Sequence, residues 1–266
     1  MIRSALHLHS TYSDGEFTLR ELRDMFRREG CRVVAVTDHA DAFDAPKLRR
    51  YVEECATLTD ERILMLPGLE YGCIERMHIL GYGVTELIDS QDPETVIRHI
   101  ATHGGVSVIA HPKDTFFDWI AGFSTLPDGI EAWNTKYDGR HGPRPQTFEF
   151  IAGLRERKPE LLAFYGIDLH WRRQFRDLHT LIESNGPAVT TATVLARLRH
   201  GRFSGAVGGL RLPSDADVSE SLLREFGAAN RRGRLLRAAF AAAKRLADSI
   251  GIRPPERLKA QLRRLF

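Results

Sequence analysis

The sequence predicts an α/β fold, a barrel of seven strands with helices between them, followed by a basic helical extension. Short runs of apolar and β-branched residues recur from residue 4 to residue 167 and alternate with helical stretches, which is the pattern of βαβ units and a parallel sheet. Polar residues follow most of these runs. After residue 205 the chain becomes rich in arginine and alanine. A chain of 266 residues is long enough for one such barrel and an appendage.

The strands and helices of the predicted barrel alternate in order along the chain. The predicted strands span residues 4–7, 32–37, 63–69, 78–82, 106–110, 129–133 and 162–167. The predicted helices span residues 18–29, 46–58, 93–103 and 146–157. The first helix is the best defined, because Thr18 and Glu21 have the spacing of a capping box and Gly30 is a suitable helix end.

The last third of the chain has a different pattern. A short strand is predicted at 187–191 and a helix at 193–199, and the glycine-rich stretch 201–210 follows them. We take this stretch as a boundary. The sequence therefore predicts two domains, a barrel of residues 1–205 and an Arg- and Ala-rich helical extension of residues 206–266.

The predicted extension is basic. From Arg197 onward there are 16 Lys and Arg against 6 Asp and Glu, whereas the preceding residues carry 22 against 29. One helix is predicted to begin near Arg234, and a second at 256–266. The apolar stripe of the first helix consists of Leu236, Phe240, Ala243 and Ile250. The stripe either packs against the barrel or presents the helix to an acidic partner, a nucleic acid or a membrane surface.

The composition excludes several classes of protein. The apolar fraction is 42%, and no run approaches the roughly 18 apolar residues that a membrane span requires. The N-terminus lacks the apolar segment of a secretory signal, so we expect a cytoplasmic protein. Cys31, Cys55 and Cys73 are odd in number and lack a CxxC spacing, which argues against a disulfide framework and a thiolate zinc site. These features leave the oligomeric state open.

Histidines and carboxylates cluster at the ends of the predicted strands. His7 and His9 lie on one side of the first strand, because side-chain direction alternates with period two. The others lie in a strand, end it or closely follow it: Asp14, His39, Glu70, His78, His111, Asp168 and His170. The carboxyl ends of barrel strands open onto one face, so these residues are predicted to converge on one pocket. Mixed imidazole and carboxylate ligands suit Zn, Mn or Fe.

Six motifs occur in a characteristic order: HLHSTYSDG, VTDH, GLEY, MHILGYG, AHP and GIDLH. With them, residues 4–205 resemble the polymerase and histidinol phosphatase family, known as PHP. The resemblance implies a distorted (β/α)7 TIM-like barrel, a metal-dependent phosphoesterase activity and two to three divalent metal ions. Members of the family include histidinol-phosphate phosphatases, nucleotide phosphatases and nucleases, and polymerase-associated domains.

The resemblance also implies how the ligands divide. One metal ion would be held by His7, His9, Glu70 and Asp168. Glu70 would bridge to a second ion held by His78 and His111. The third ion would be held by Asp14, His39 and His170. No expected ligand position is missing, which argues against a non-catalytic relative.

Further side chains are candidates for catalysis and for substrate binding. His39 or His170 could protonate the leaving group, and Asp38 either orients a ligand or caps a loop. The candidates for binding the phosphate are Lys136, Arg140 and Arg172. An arginine fork matches phosphate oxygens, although a solvated basic loop gives the same pattern. Three tryptophans lie near strand-end loops, where one could stack on a ring or simply pack: Trp119, Trp133 and Trp171.

Three functions are compatible with these residues. A phosphomonoesterase acting on a small phosphorylated metabolite, similar to histidinol phosphatase, is preferred because the stretch 78–111 leaves no room for an inserted lid domain. A nucleotide or nucleic-acid phosphodiesterase is an alternative that the basic tail favours, although TDHADAFDAP departs from the pattern of the nucleotide phosphatase and exonuclease members. The third is a non-catalytic metal-binding regulatory module, against which the complete ligand set argues.

Overall fold

The computed structural model describes residues 1–138, 142–184 and 188–249, and it shows an α/β fold around a nearly closed, barrel-shaped sheet. The predicted seven-stranded barrel is confirmed. Its strands are β1 (Ile2–Leu8), β2 (Val33–His39), β3 (Leu64–Gly72), β4 (His78–Tyr82), β5 (Val106–Ala110), β6 (Gly129–Asn134) and β7 (Leu162–Gly166). In the sheet these seven strands are neighbours in chain order.

Helices connect the strands and cover the outside of the barrel. They are α1 (Leu19–Arg28), α2 (Ala45–Leu58), α3 (Pro93–Thr102), α4 (Phe117–Ala121), α5 (Pro145–Leu154), α6 (Thr191–Arg199) and α7 (Glu220–Ser249). The predicted capping box at the start of α1 is present, with the Glu21 backbone N–H donating to Thr18 Oγ1 and the Thr18 backbone N–H donating to the Glu21 carboxylate. None of the helices in the described ranges is long and apolar enough to cross a membrane.

The barrel closes where the chain leaves β7 and pairs with the carboxyl end of β1. The backbone N–H of Ile167 donates to Leu6 O at 3.2 Å, and that of Asp168 donates to His7 O at 2.9 Å. The closing segment therefore places Asp168 directly beside β1. Residues with chemical function on the first and last strands become neighbours through this pairing.

One barrel strand runs against the others. β4 pairs antiparallel with both β3 and β5, whereas the parallel pattern of the sequence predicted a uniform direction. The reason is the short connection between Gly72 and His78, because parallel strands need a crossover of about a dozen residues or more. The reversal puts His78, the first residue of β4, opposite Gly72 and Ala110. The amino end of β4 thus reaches the face where the other strands end.

Three further strands extend the sheet beside β1. β8 (His179–Ile182) pairs antiparallel with β1, and β9 (Phe203–Val207) and β10 (Leu210–Pro213) form a hairpin that pairs with β8. The strand predicted at 187–191 is wrong, because α6 begins at Thr191 and the nearest preceding strand, β8, ends at Ile182. Residues 185–187 lie outside the described ranges. The glycine-rich stretch 201–210 contains β9 and the turn of the β9–β10 hairpin.

The predicted domain boundary after residue 205 falls inside β9, which is paired on both sides. The sheet therefore continues past that residue, and the division into two domains stays a prediction. Helix α7 begins at Glu220, well before Arg234, and its Phe226 is buried with its ring centroid 6.5 Å from that of Phe148 on α5. Asn230 Nδ2 also donates to Pro143 O at 2.9 Å.

The distal part of the extension lies outside what the structure describes. This holds for residues 250–266, including the predicted second helix, and for the side chains of Leu236, Phe240 and Ala243. Binding of an acidic partner, a nucleic acid or a membrane surface by this basic region therefore stays a prediction. The first turns of α7 pack on the barrel.

Candidate metal centre

The strand ends bring all nine predicted ligands into one cluster. β1 and the loop after it carry three of them, β2, β3 and β4 carry one each, and the rest follow β5 and β7. Side-chain nitrogen and oxygen atoms of these residues form four groups, each with all atoms within 4.8 Å of one another. The groups are His9, Asp14, His39 and His170; His7, His9 and Asp168; His7, Glu70 and His111; and His39, Glu70 and His78.

Glu70 lies at the hub of the cluster. Its Oε1 accepts from His78 Nδ1 at 2.8 Å and from His111 Nε2 at 3.3 Å. Its Oε2 lies 3.1 Å from His9 Nε2 and 3.3 Å from His39 Nδ1. Oε2 also lies 3.5 Å from His7 Nε2, so the two oxygens face different imidazoles, an arrangement that suits a carboxylate shared by two cations.

Asp168 and Asp14 lie on the other side of the imidazoles. Asp168 Oδ1 lies 3.1 Å from His170 Nδ1 and 3.7 Å from His9 Nε2. Asp14 is half exposed, and its Oδ1 lies 3.3 Å from His170 Nε2 and 3.6 Å from His39 Nε2. The cluster therefore has a buried end at Asp168 and an end open to solvent at Asp14.

The buried nitrogens of β1 fit a metal site. His7 Nε2 and both ring nitrogens of His9 are shielded from solvent and have no partner in hydrogen-bond geometry. An unsatisfied buried polar atom costs about 1–3 kcal/mol, so such atoms in one cluster need an explanation. Lone pairs of neutral imidazoles aimed at shared carboxylates are suitable donors for a divalent transition metal.

The electrostatics of the cluster keep its carboxylates ionised. Burial alone would raise the pKa of Glu70, but His7, His111 and His78 hold it well below its usual range. Burial acts in the same direction on Asp168, and His7 and His170 again hold the pKa well below the ordinary value. Both side chains are therefore acceptor-only groups at neutral pH, as metal ligands must be.

Asp38, predicted as a catalytic or loop-capping residue, is fully buried beneath the loop that carries Asp14. Its Oδ1 accepts from the backbone N–H of Ser10 at 2.7 Å and from Ser13 Oγ at 2.6 Å, and its Oδ2 accepts from Ser10 Oγ at 2.7 Å. Gly15 closes the same loop so tightly that a Cβ there would collide with the backbone of His9. These are the contacts of a loop cap, and a catalytic role for Asp38 stays a prediction.

The candidates for phosphate binding divide into three cases. Lys136 lies inside the cluster, with Nζ 3.1 Å from Asp168 Oδ1 and 3.3 Å from His170 Nδ1. Burial lowers the pKa of Lys136, but Asp168, Tyr137 and Glu70 together more than offset it, so that pKa is raised. Arg172 lies at the rim, where its guanidinium is 5.1 Å from the Phe17 ring centroid. Arg140 lies outside the described residues.

Two buried polar residues of β6 were missed by sequence reasoning. Glu131 Oε1 accepts from His7 Nδ1 at 2.8 Å, and Glu131 Oε2 accepts from the His111 backbone N–H at 2.9 Å. Asn134 Nδ2 donates to Glu131 Oε2 at 2.9 Å and to Asp168 Oδ2 at 3.2 Å. Gly166 leaves room for this pair, since a Cβ there would overlap the Glu131 carboxylate. The signal was present in GIEAWN, where two polar residues interrupt a buried apolar run.

The three ligands held by this pair share an unusual backbone conformation. The φ angles are 59° at His7, 30° at His111 and 54° at Asp168, in a region that residues with a Cβ rarely occupy. Such conformations cost about 1–3 kcal/mol each and persist only where surrounding contacts impose them. Glu131 and Asn134 supply such contacts.

A barrel with imidazoles and carboxylates converging at the strand ends is typical of metal-dependent hydrolases. The PHP domain family model matches residues 5–138, half of the chain, and this range contains seven of the nine candidate ligands. The chain belongs to the PHP domain family. Membership of this family supports a hydrolase that acts on phosphoester bonds.

A curated relative and two solved structures are similar to the chain. The DNA polymerase/3'-5' exonuclease PolX of Bacillus subtilis is 29% identical over 150 residues, which are 46% of this chain and 25% of PolX. The chain thus spans about a quarter of the length of that relative.

Both solved structures share the fold. A two-domain protein of Bacteroides vulgatus containing a predicted PHP-like metal-dependent phosphoesterase superposes with a TM-score of 0.56 at 16% identity, covering 86% of this chain and 69% of the other. PsfC of Pseudomonas syringae superposes with a TM-score of 0.54 at 15% identity, covering 87% and 99%.

Proposed function

We propose that the protein is a phosphomonoesterase that releases inorganic phosphate from a small phosphorylated metabolite. The observation that supports a monoester is Lys136, whose ammonium group lies inside the metal centre 3.1 Å from Asp168. A phosphate monoester carries a charge between −1.5 and −2 at neutral pH, whereas a diester carries one negative charge. An additional cation among the metal ligands suits the more highly charged group.

The ligand groups support two to three divalent ions of Zn, Mn or Fe. His7, His9, Glu70 and Asp168 would hold the first ion, and Glu70 with His78 and His111 would hold the second. Asp14, His39 and His170 would hold the third, and these three together with His9 form one of the observed groups. When bound, such ions lower the pKa of water toward neutrality and neutralise charge on the phosphoryl oxygens.

The chain's own side chains point to water as the nucleophile. Ser10 and Ser13, two hydroxyls of the loop between His9 and Asp14, both donate to Asp38. The thiols are buried, and burial raises the pKa of Cys31 and of Cys73 to about 12. A thiol with such a pKa carries almost no thiolate at neutral pH, so covalent catalysis by cysteine is unfavourable.

His39 is the better candidate for protonating the leaving group. Its side chain is 24% exposed, whereas that of His170 is 2% exposed, and both face Asp14 at the open end of the cluster. A group that meets the leaving alcohol must be reachable from the side where the alcohol departs. We therefore assign His39 to proton transfer when it is not bound to the third ion, and His170 to holding Asp14 and Asp168 in place.

One observation favours a second candidate, a nucleotide or nucleic-acid phosphodiesterase. The matched relative carries the name of a DNA polymerase and 3'-5' exonuclease. The non-catalytic regulatory module is the weakest candidate, because every ligand position is filled by a suitable residue.

The test is a phosphate-release assay with the metal-loaded full chain. We expect release from small monoesters, loss of activity after chelation, and recovery with Mn or Zn. A bis-aryl phosphate diester and short oligonucleotides serve as the competing substrates. Faster hydrolysis of these diesters would favour the phosphodiesterase, and metal-free protein with full activity would exclude the proposed mechanism.

A further inference from the structure

Trp171 is an exposed aromatic side chain at the edge of the metal centre. It is 39% exposed, and its ring centroid lies 5.4 Å from that of His170. Among the described residues it is one of two exposed aromatic side chains, the other being Tyr137. A large ring left in water forgoes burial that would stabilise the fold by about 25 cal/mol per Å², so a ring exposed beside a reaction site is a candidate ligand contact.

The backbone, and not the indole, holds Trp171 in position. Gln174 Oε1 accepts from the backbone N–H of His170 at 2.8 Å and from that of Trp171 at 2.9 Å. The Gln174 N–H in turn donates to Trp171 O at 2.7 Å. The turn is thus anchored directly to a candidate metal ligand, and the indole lies beside that ligand.

Cationic side chains surround the exposed ring. The Arg173 guanidinium lies 5.2 Å from the Trp171 ring centroid. Trp171 is 39% exposed even with Arg173 beside it. An open depression of about 720 Å³ is lined by Trp171, Arg172, Arg173 and Glu16. The Glu16 carboxylate stabilises this turn, because it accepts from the Arg172 backbone N–H at 2.9 Å.

We propose that Trp171 forms a leaving-group site, in which its indole stacks on a planar ring in the alcohol part of the phosphate ester. The inference rests on the proposed phosphomonoesterase activity and adds the class of alcohol that the centre prefers. Aromatic pairs gain about 0.5–1.5 kcal/mol beyond the area they bury, an advantage that an aliphatic chain lacks. Tyr137 is less suited, since its ring already packs at 4.4 Å from that of His111.

The first experiment measures binding without hydrolysis. Benzylphosphonate and butylphosphonate cannot be hydrolysed at their C–P bond and differ in the ring. Titration calorimetry with the metal-loaded full chain should show about tenfold tighter binding of benzylphosphonate. Trp171→Ala should remove this preference, and Trp171→Phe should keep most of it. Leu87→Ala, which removes another exposed apolar side chain, is the matched control and should change neither affinity.

The second experiment compares hydrolysis of benzyl phosphate and butyl phosphate. Trp171→Ala should lower kcat/KM for benzyl phosphate about tenfold and leave that for butyl phosphate within about twofold. Equal effects on both esters, or no binding of either phosphonate, would overturn the leaving-group site. Selective phosphonate binding without any phosphate release would instead contradict the proposed phosphatase and leave the ring site standing.

Discussion

Replacing Glu131 by glutamine tests whether β6 controls the metal centre. The carboxylate accepts three hydrogen bonds, one on Oε1 from His7 Nδ1 and two on Oε2 from the His111 N–H and from Asn134. A glutamine of the same shape has one acceptor and one donor end. An NH₂ group in the position of Oε2 would face the two donors of His111 and Asn134. The glutamine NH₂ should therefore take the position of Oε1 and face His7 Nδ1.

That orientation reverses the tautomer of His7. The ring must then accept at Nδ1 and carry its proton on Nε2, the atom that faces Glu70 at 3.5 Å and would bind the metal. Loss of such an outer partner typically lowers metal affinity about 10- to 100-fold, which is about 1.4–2.7 kcal/mol. We expect this loss with a retained fold and with activity partly restored at high metal concentration.

The assay is a competition titration with a chromophoric chelator, read as metal bound per chain and as affinity. Glu54→Gln is the matched control, because that carboxylate accepts from Tyr12 Oη at 2.8 Å and takes no part in the cluster. Wild-type metal affinity in the Glu131→Gln variant would refute the tautomer argument. An equal loss in both variants would show a general effect of the substitution.

Three more predictions follow from the same contacts. Glu70→Gln and Asp168→Asn should each reduce hydrolysis by more than about 100-fold while circular dichroism stays unchanged, because each removes a ligand oxygen from the hub of the centre; near-normal rates with excess metal would exclude the ligand assignment. Burial lowers the pKa of His179 from its ordinary 6.5, so the unfolded chain takes up the proton first as the pH falls. The free energy of unfolding should therefore fall from pH 7 to pH 5, and His179→Gln should flatten that decline. Identical pH curves for the variant and the wild type would contradict this prediction. Phe226→Ala should lower the free energy of unfolding by about 3 kcal/mol in urea titrations, whereas a change under about 0.5 kcal/mol would show that α7 packs weakly on the barrel.

The sequence was sufficient to predict the convergence of the ligands because their positions follow from strand ends. His7 lies near the end of β1 and His9 directly follows it, and most of the other strands end on the same side of the sheet. The direction of β4 could not be derived from a short run of five residues, since periodicity carries no strand polarity. His78 nevertheless joins the cluster, because the reversal brings its end of the strand to the same face.

Long-range pairings were the part that the sequence could not supply. Glu131 interrupts a buried strand, but only the closing of the barrel shows that His7 and His111 are its partners. The pairing of β8 with β1 likewise depends on contacts between residues about 180 positions apart, such as Ile2 and Ile182. The early start of α7 was missed although Leu222, Leu223 and Phe226 have helical spacing and pack against the barrel.

The left-handed backbone at His7, His111 and Asp168 has a consequence for how this centre can be lost. At each of these positions glycine would relieve backbone strain and simultaneously delete a ligand. In metal-free protein glycine at His111, whose side chain is partly exposed, would relieve strain without leaving a large buried cavity, so a screen for thermostability alone should drift toward variants that hold metal less well. Selection for activity opposes that drift, and bound metal should make the native histidines and aspartate the stable choice.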